Sequence, residues 1–231
     1  MRKALCIPKK TDGISENEDR LCQKSYLHSV ADGAGGTGIL CGEWAEYVLS
    51  NLPESAIVSF EGFIDWFRNF SDAFVEHYEP ILRHDPFQLR KFYEEGSACT
   101  LAGFWIEEKE IHWLTYGDAH VFLIAEDVFE SFPCQARDQL LGGTHLINWS
   151  RLPDEEGFQC GAFSLKSDAV YLLATDEISK HIFYLKESEE NFHLALEELW
   201  VSLDNEKSFR QYIQRHPDIG EDDYTIIFIR S

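Results

Sequence analysis

Ser29-Val30-Ala31-Asp32-Gly33-Ala34-Gly35-Gly36 is the stretch on which the reading of this chain turns. Strand-like residues 28–31 lead into one carboxylate, and glycines follow at 33, 35, 36 and 38. Glycine inside a regular element costs stability, so a cluster this dense marks a tight turn with close backbone approach. An Asp at the end of a buried strand, beside glycine, can present a carboxylate and a backbone carbonyl together. Both are hard oxygen donors of the kind Mg²⁺ and Mn²⁺ prefer. Asp32 reads equally well as a turn residue or a helix N-cap. The rest of the chain decides, by supplying partners or not.

Upstream, residues 4–7 read as a short strand and 21–31 as an alternating extended run. Downstream, residues 39–52 read as a helix, with Trp44, Tyr47 and Val48 at helical spacing and Pro53 as the stop. Residues 60–82 read as a second, longer helix. Phe60, Phe63, Ile64, Phe67, Phe70, Phe74, Tyr78 and Leu82 form its apolar stripe, which is core and has no ligand role. After Gly96 the pattern changes to strands at 98–106, 111–116 and 121–125. Residues 131–157 are less regular. A hairpin is predicted around Lys166-Ser167-Asp168, with arms at 163–165 and 169–174. Helices follow at 189–203 and 206–215, and a closing strand at 224–230. Helices and strands thus come in blocks, which predicts an α+β fold with antiparallel sheets rather than βαβ units. No linker, repeat or low-complexity segment interrupts the chain, so residues 1–231 are expected to form one domain.

The chain has 231 residues, 44% of them hydrophobic, with 17 Phe, 9 Tyr and 6 Trp, enough to bury a large core. Its net charge is −21, from 41 acidic and 20 basic residues. That charge repels nucleic acid and anionic membrane surfaces, so neither is expected as a partner, and it suits a protein that holds divalent cations. Cysteines 6, 22, 41, 99, 134 and 160 show no CxxC pair and no metal-ligand spacing, and read as reduced thiols. The first residues lack the apolar stretch of a signal peptide, and no run is long enough to span a membrane. The expectation is a soluble, cytoplasmic protein.

Carboxylates recur where strands end. Asp32 closes one, Asp118 another, and Asp176 a third, after the apolar Val170-Tyr171-Leu172-Leu173-Ala174. Asp222 and Asp223 precede the last strand, and Glu18 and Asp19 precede the run that leads to Asp32. Carboxylates that converge at one end of a sandwich cannot all stay ionised without cations. Two divalent ions would resolve the repulsion and activate water for in-line attack on phosphorus.

These residues resemble the metal-dependent protein serine/threonine phosphatases of the 2C type. The matches run in that family's order: Glu16-Asn17-Glu18-Asp19, Val30-Ala31-Asp32-Gly33-Ala34-Gly35-Gly36, Gly96-Ser97-Ala98-Cys99-Thr100, Tyr116-Gly117-Asp118-Ala119-His120, Leu172-Leu173-Ala174-Thr175-Asp176 and Asp222-Asp223-Tyr224-Thr225-Ile226-Ile227. They cover nearly the whole chain. Each motif alone is weak, but six in order are specific. The resemblance implies a sandwich of two antiparallel β-sheets flanked by pairs of antiparallel helices, in four layers α-β-β-α.

It also implies roles. Asp32 would bridge two Mg or Mn ions, and the Gly33 carbonyl would bind one of them. Asp176 and Asp222 would complete the first metal site, so Asp32, Asp176 and Asp222 are the catalytic set. Glu18 would serve the second ion, with Asp19 beside it, and Asp118 would belong to a weaker third position. The nucleophile would be a bridging water or hydroxide. The implied activity is hydrolysis of phosphoserine and phosphothreonine in protein substrates, opposite a cognate kinase in a signalling pathway.

The chain also departs from the family pattern. Ile14 stands where an Arg often grips the substrate phosphate; Lys9, Lys10 and Arg20 are candidate replacements. Ala34 stands where a His can act as general acid, which leaves protonation of the leaving group to water. Glu177 replaces the usual Gly after Asp176, where it could add a ligand or crowd the site. His120 replaces the usual Arg two residues after Asp118, and a lone His there is more often structural. The interval from Asp118 to Asp176 is shorter than usual, which implies a truncated flap. These departures keep open a catalytically weak or inactive phosphatase-like binding module. The short flap keeps open a phosphatase for small phosphate esters.

Overall fold

The computed structural model describes residues 1–9, 16–36, 38–141, 143–188 and 190–231. The chain runs β1 (Arg2–Ile7), β2 (Arg20–Gln23), β3 (Leu27–Ala31), α1 (Cys41–Ser50), α2 (Phe60–Arg68), α3 (Ser71–Leu82), α4 (Pro86–Glu95), β4 (Ala98–Cys99), β5 (Leu101–Ile106), β6 (Glu110–Tyr116), β7 (His120–Ala125), β8 (Val128–Phe132), β9 (Ile147–Asn148), β10 (Phe158–Ser164), β11 (Val170–Ala174), α5 (Asp176–Ser188), α6 (Phe192–Ser202), α7 (Glu206–Arg215) and β12 (Tyr224–Arg230). Short 3-10 turns lie at Arg137–Leu141 and Glu155–Gly157.

Two five-stranded sheets form, ordered β1-β12-β11-β7-β8 and β10-β6-β5-β3-β2, and their pairings are antiparallel. The period-two alternation of side chains sorts each strand between two cores. In β12, Ile226 and Phe228 face the α5–α7 layer beside Phe209 and Trp200, while Ile227 points between the sheets toward the cluster of Val30, Trp113 and Tyr171. In β11, Leu172 and Ala174 face the helices and Tyr171 and Leu173 face the other sheet. On the opposite side, α1–α4 pack Trp44, Phe63, Phe67, Phe74 and Phe92 onto Leu101, Leu114 and Tyr116 of β5 and β6. The result is the α+β sandwich that the blocked order implied, with four layers.

Several elements differ from the sequence reading. Residues 21–31 are two strands, β2 and β3, paired as a hairpin from Arg20↔Ala31 to Gln23↔His28. Residues 60–82 are two helices, because Asn69 ends α2 and the chain restarts at Ser71. The stripe stays continuous across the break: Phe67, Phe70 and Phe74 all contact Trp44, so burial alone could not reveal it. Helix α4 was not foreseen; Asp85 caps it, its Oδ1 accepting the Phe87 and Gln88 N–H groups at 3.0 and 3.2 Å. Helix α5 was not foreseen either, since Asp176 starts it only two residues after the end of β11. The helix expected at 189–203 is α6, and Glu189 lies outside the described residues. The predicted 163–174 hairpin is a crossing between sheets: β10 pairs with β6, and β11 pairs with β7 and β12. Among the described residues, α1–α4 flank one sheet and α5–α7 the other.

Candidate functional site

All five residues of β3 are buried, and the chain emerges from the sheet at Asp32. Its continuation lies along residues 98–100. Thr100 N–H donates to the Asp32 carbonyl at 2.9 Å, Gly33 bridges to Cys99, and Ala34 N–H donates to the Ala98 carbonyl at 2.9 Å. The two motifs around Asp32 and Ala98 are therefore paired in space. Close approach explains the glycines. A Cβ on Gly33 would lie 2.7 Å from the Glu18 carbonyl oxygen, and one on Gly35 would collide with the Glu18 carboxylate. Glu18 is held there by its own N–H, which donates to Asp223 Oδ2 at 2.8 Å. Gly117, before Asp118, has φ +83°, a left-handed conformation that glycine adopts without strain.

Asp32 is the electrostatic centre. Burial pushes its carboxyl well above the usual carboxylate range, and the charges of Asp19, Asp176, Asp118 and Asp222 push it further. Among the described residues no side chain pairs with its carboxylate. Asp176 opens α5 and is raised by burial, but Lys180 opposes the shift, with Nζ 2.6 Å from Asp176 Oδ2. Asp222 Oδ1 meets Lys9 Nζ at 3.2 Å. Asp118 Oδ2 accepts from Thr144 Oγ1 at 2.6 Å. Glu18 is raised by burial and then by Asp223. The structure thus gathers Asp32, Asp118, Asp176, Asp222 and Glu18 at one end of the sandwich. It does not draw them into a tight knot: among the described residues, no three of their oxygens all lie within 4.8 Å of one another. Like charges at partial separation, two of them held by lysines, account for that spacing.

The remaining expected site residues have structural partners. Asp19 is buried, accepts from Thr175 Oγ1 at 2.9 Å, and is pushed up to about 7 by desolvation. Asp223 spends one oxygen on the Lys9 N–H at 2.9 Å and the other on the Glu18 N–H, so it ties the β1 exit to the Glu18 segment. Glu177 has partners of its own, and its charge is among those that raise Asp176. Its Oε2 accepts the Gly220 N–H at 2.8 Å and its Oε1 meets Lys180 at 2.5 Å, anchoring the loop that carries Asp222. His120 is fully buried against Phe122 and Phe183, is held neutral with its pKa lowered to about 4 by burial, and contacts the Asp118 carbonyl through Nδ1 at 2.6 Å. Arg20 is turned away: its Nη1 donates to the Asn17 and Asp19 carbonyls and its Nε faces Glu46. Ile14 and Lys10 lie outside the described residues.

Lys180 is the site residue that sequence reasoning missed. Its signal was available as an i, i+4 pairing with Asp176, but only once residues 176–188 are recognised as a helix. Thr144 gave no signal, because its contact with Asp118 spans the irregular 133–157 segment.

The donor set suits Mg²⁺ or Mn²⁺. It consists of carboxylates around one half-buried Asp that has no side-chain partner among the described residues. A cation there competes with Lys180 for Asp176 and with Lys9 for Asp222.

No family model matches the chain, and no curated protein sequence matches it. Solved structures do. The serine/threonine phosphatase PstP/Ppp of Mycobacterium tuberculosis is similar with a TM-score of 0.62 at 14% identity, over 99% of this chain and 97% of that one. A PstP catalytic domain in complex with two manganese ions matches with a TM-score of 0.61 at 14% identity, over 99% and 96%. Stp1 of Staphylococcus aureus matches with a TM-score of 0.57 at 16% identity, over 100% and 95%. At these identities the likeness establishes the fold, end to end.

Proposed function

We propose that the chain is a Mg²⁺- or Mn²⁺-dependent phosphatase that hydrolyses phosphoserine and phosphothreonine monoesters in proteins. The observation that carries this reading is Asp32: a half-buried, desolvated carboxylate with no side-chain partner among the described residues, ringed by the charges of Asp19, Asp118, Asp176 and Asp222. Its support from outside the chain is the shared fold with a phosphatase that holds two manganese ions.

In this reading Asp32, the Gly33 carbonyl, Asp176 and Asp222 would hold one ion, Asp32 and Glu18 would hold a second, and Asp118 would serve a weaker third position. Bound ions supply an activated water and neutralise charge on the phosphoryl group. The chain's own contribution is placement. The Thr100–Asp32 and Ala34–Ala98 backbone bonds fix the turn, and Asp223 fixes Glu18 beside it. Among the described residues Lys9 and Lys180 pair with carboxylates of the ring, and we assign them to meet an incoming phosphate in place of the family's Arg. Arg20 is committed elsewhere and has no such role. A phosphorylated protein as substrate implies a kinase that makes it. Six free thiols fit a reducing, cytoplasmic setting. Among the described residues no helix is long and apolar enough to cross a membrane.

Lys180 on Asp176 favours a second reading, a phosphatase-like module that binds phosphorylated partners with little turnover. One experiment separates the two. Purified chain with Mn²⁺ is expected to hydrolyse p-nitrophenyl phosphate and a phosphothreonine peptide. Chelator and Asp32→Asn are each expected to abolish the activity. Hydrolysis that persists through both treatments rules the first reading out. Metal binding with no turnover on either substrate selects the second.

A further inference from the structure

Away from the carboxylate ring, the layer of α5, α6 and α7 holds a cluster of different chemistry. His181 on α5 is completely buried. Its Nδ1 lies 2.6 Å from Asp218 Oδ2 and its Nε2 2.7 Å from the Tyr212 hydroxyl of α7. His216, the residue that ends α7, brings a second imidazole: its ring centroid is 5.0 Å from that of His181 and 4.1 Å from that of Tyr212. One ligand atom each from His181, His216 and Asp218 fall within 4.8 Å of one another, the one such triplet among the described residues.

An Asp–His–Tyr chain of hydrogen bonds is a sufficient pin between helices, and it needs no second histidine. The ring nitrogens of His216 accept and donate no hydrogen bond among the described residues. His216 lines, with Tyr212, Glu190 and Glu198, an open cavity of about 380 Å³. A buried imidazole oriented by a hydrogen bond on its far nitrogen, beside a free imidazole and a carboxylate, is the arrangement that zinc-class ions select. Mg²⁺ and Mn²⁺ prefer oxygen-rich sites such as the Asp32 ring.

We propose that His181, His216 and Asp218 form a binding site for a zinc-class divalent ion, separate from the carboxylate ring. Bonds of about 2.0–2.2 Å in a tetrahedral site place neighbouring ligand atoms ~3.3 Å apart, so the His181–Asp218 pair, 2.6 Å apart, opens to admit the ion, and the other pairs, which lie within 4.8 Å, need close only modestly. The protonation balances. His181 turns Nδ1 to the ion, its proton moves to Nε2, and the Tyr212 oxygen accepts from it in place of donating. The cavity supplies a water as the fourth ligand. The ion clasps α5 to the end of α7 and to the loop that runs from Asp218 to Asp222, so this site steadies one carboxylate of the ring.

The untagged full chain is titrated with Co²⁺ in the presence of excess Mg²⁺, followed by visible absorption, and Zn²⁺ is then added. One equivalent of Co²⁺ is expected to give the intense bands of a tetrahedral ion, and Zn²⁺ to bleach them. His216→Ala and Asp218→Asn are expected to lose the bands, and Asp32→Asn to keep them. His216→Gln serves as the second variant should His216→Ala misfold, which circular dichroism reports. Absence of tetrahedral bands in the wild-type chain overturns the proposal. So does their survival in the folded His216 and Asp218 variants, or their loss in Asp32→Asn. None of these outcomes bears on the phosphatase reading, which is tested by turnover.

Discussion

At the scale of single residues, the proposed function sets the chain's own cations against a metal ion at the candidate site. Lys180 Nζ lies 2.6 Å from Asp176 and 2.5 Å from Glu177, and both partners are largely shielded from solvent. A divalent ion at Asp176 must displace that ammonium. Lys180→Met removes the competitor and keeps the aliphatic stem, so Mn²⁺ affinity is expected to tighten several-fold, on the order of 1 kcal/mol. Calorimetric titration of both proteins measures it; equal or weaker binding in the variant means that Lys180 does not oppose the metal. The acids at strand ends were legible in the sequence, because a buried apolar run that stops on Asp is a local pattern. Their partners were not. Lys9 reaches Asp222 from 213 residues away, and Asp223 serves Glu18 from 205. The struts that separate Asp223 and Glu177 from the carboxylate ring exist only once the chain has folded.

At the scale of elements, the loop between α7 and β12 is held from several sides. Glu177 Oε2 accepts the Gly220 N–H, Tyr224 Oη donates to the Gly220 carbonyl at 2.8 Å, and His181 takes Asp218. A charge-assisted hydrogen bond of this kind contributes about 1–2 kcal/mol. Glu177→Ala is expected to destabilise the chain by about that amount and to speed amide exchange at Gly220 while leaving the sheets protected. Exchange at Gly220 unchanged in the variant would show that Glu177 does not anchor the loop. The same elements show what sequence could and could not give. Blocked order and period-two runs carried the sandwich, since each strand's alternation is local. The break at Asn69 escaped because the apolar stripe crosses it unbroken, with no Gly or Pro to mark it. Helix α5 escaped because Asp176 follows β11 with no linker. Assignment of β10 to the other sheet rests on its pairing with β6, which adjacency along the chain does not reveal.

At the scale of the whole molecule, a chain of net charge −21 has desolvated several of its carboxylates at one end, Asp19 most fully, and its stability must register that. Asp19 is raised from 3.8 to about 7, and Asp32 is raised well above 3.8, both chiefly by desolvation. The folded state therefore binds more protons than the unfolded state between pH 3.8 and about 7, and stability falls as pH rises through that window. The cost of Asp19 is fully present above about pH 7. His28 and His120 act in the opposite sense: burial lowers each from 6.5 to about 4, so they are neutral in the folded state and cost stability as pH drops below 6.5. Between about pH 4 and 6.5 the two trends offset each other, and above 6.5 the carboxylate trend acts alone. In chelator, the melting temperature is expected to fall from pH 6.5 toward pH 8. Asp32→Asn removes a desolvated charge and is expected to raise the melting temperature at pH 8 and flatten the decline. Mn²⁺ is expected to flatten it in the wild-type chain and not in the variant, because the ion neutralises the same charge that the proton does. Melting curves at pH 6.5 and 8, with and without Mn²⁺, test all of this. A melting temperature that rises from pH 6.5 to 8 in chelator would mean that the carboxylate end is not the strained part of the fold.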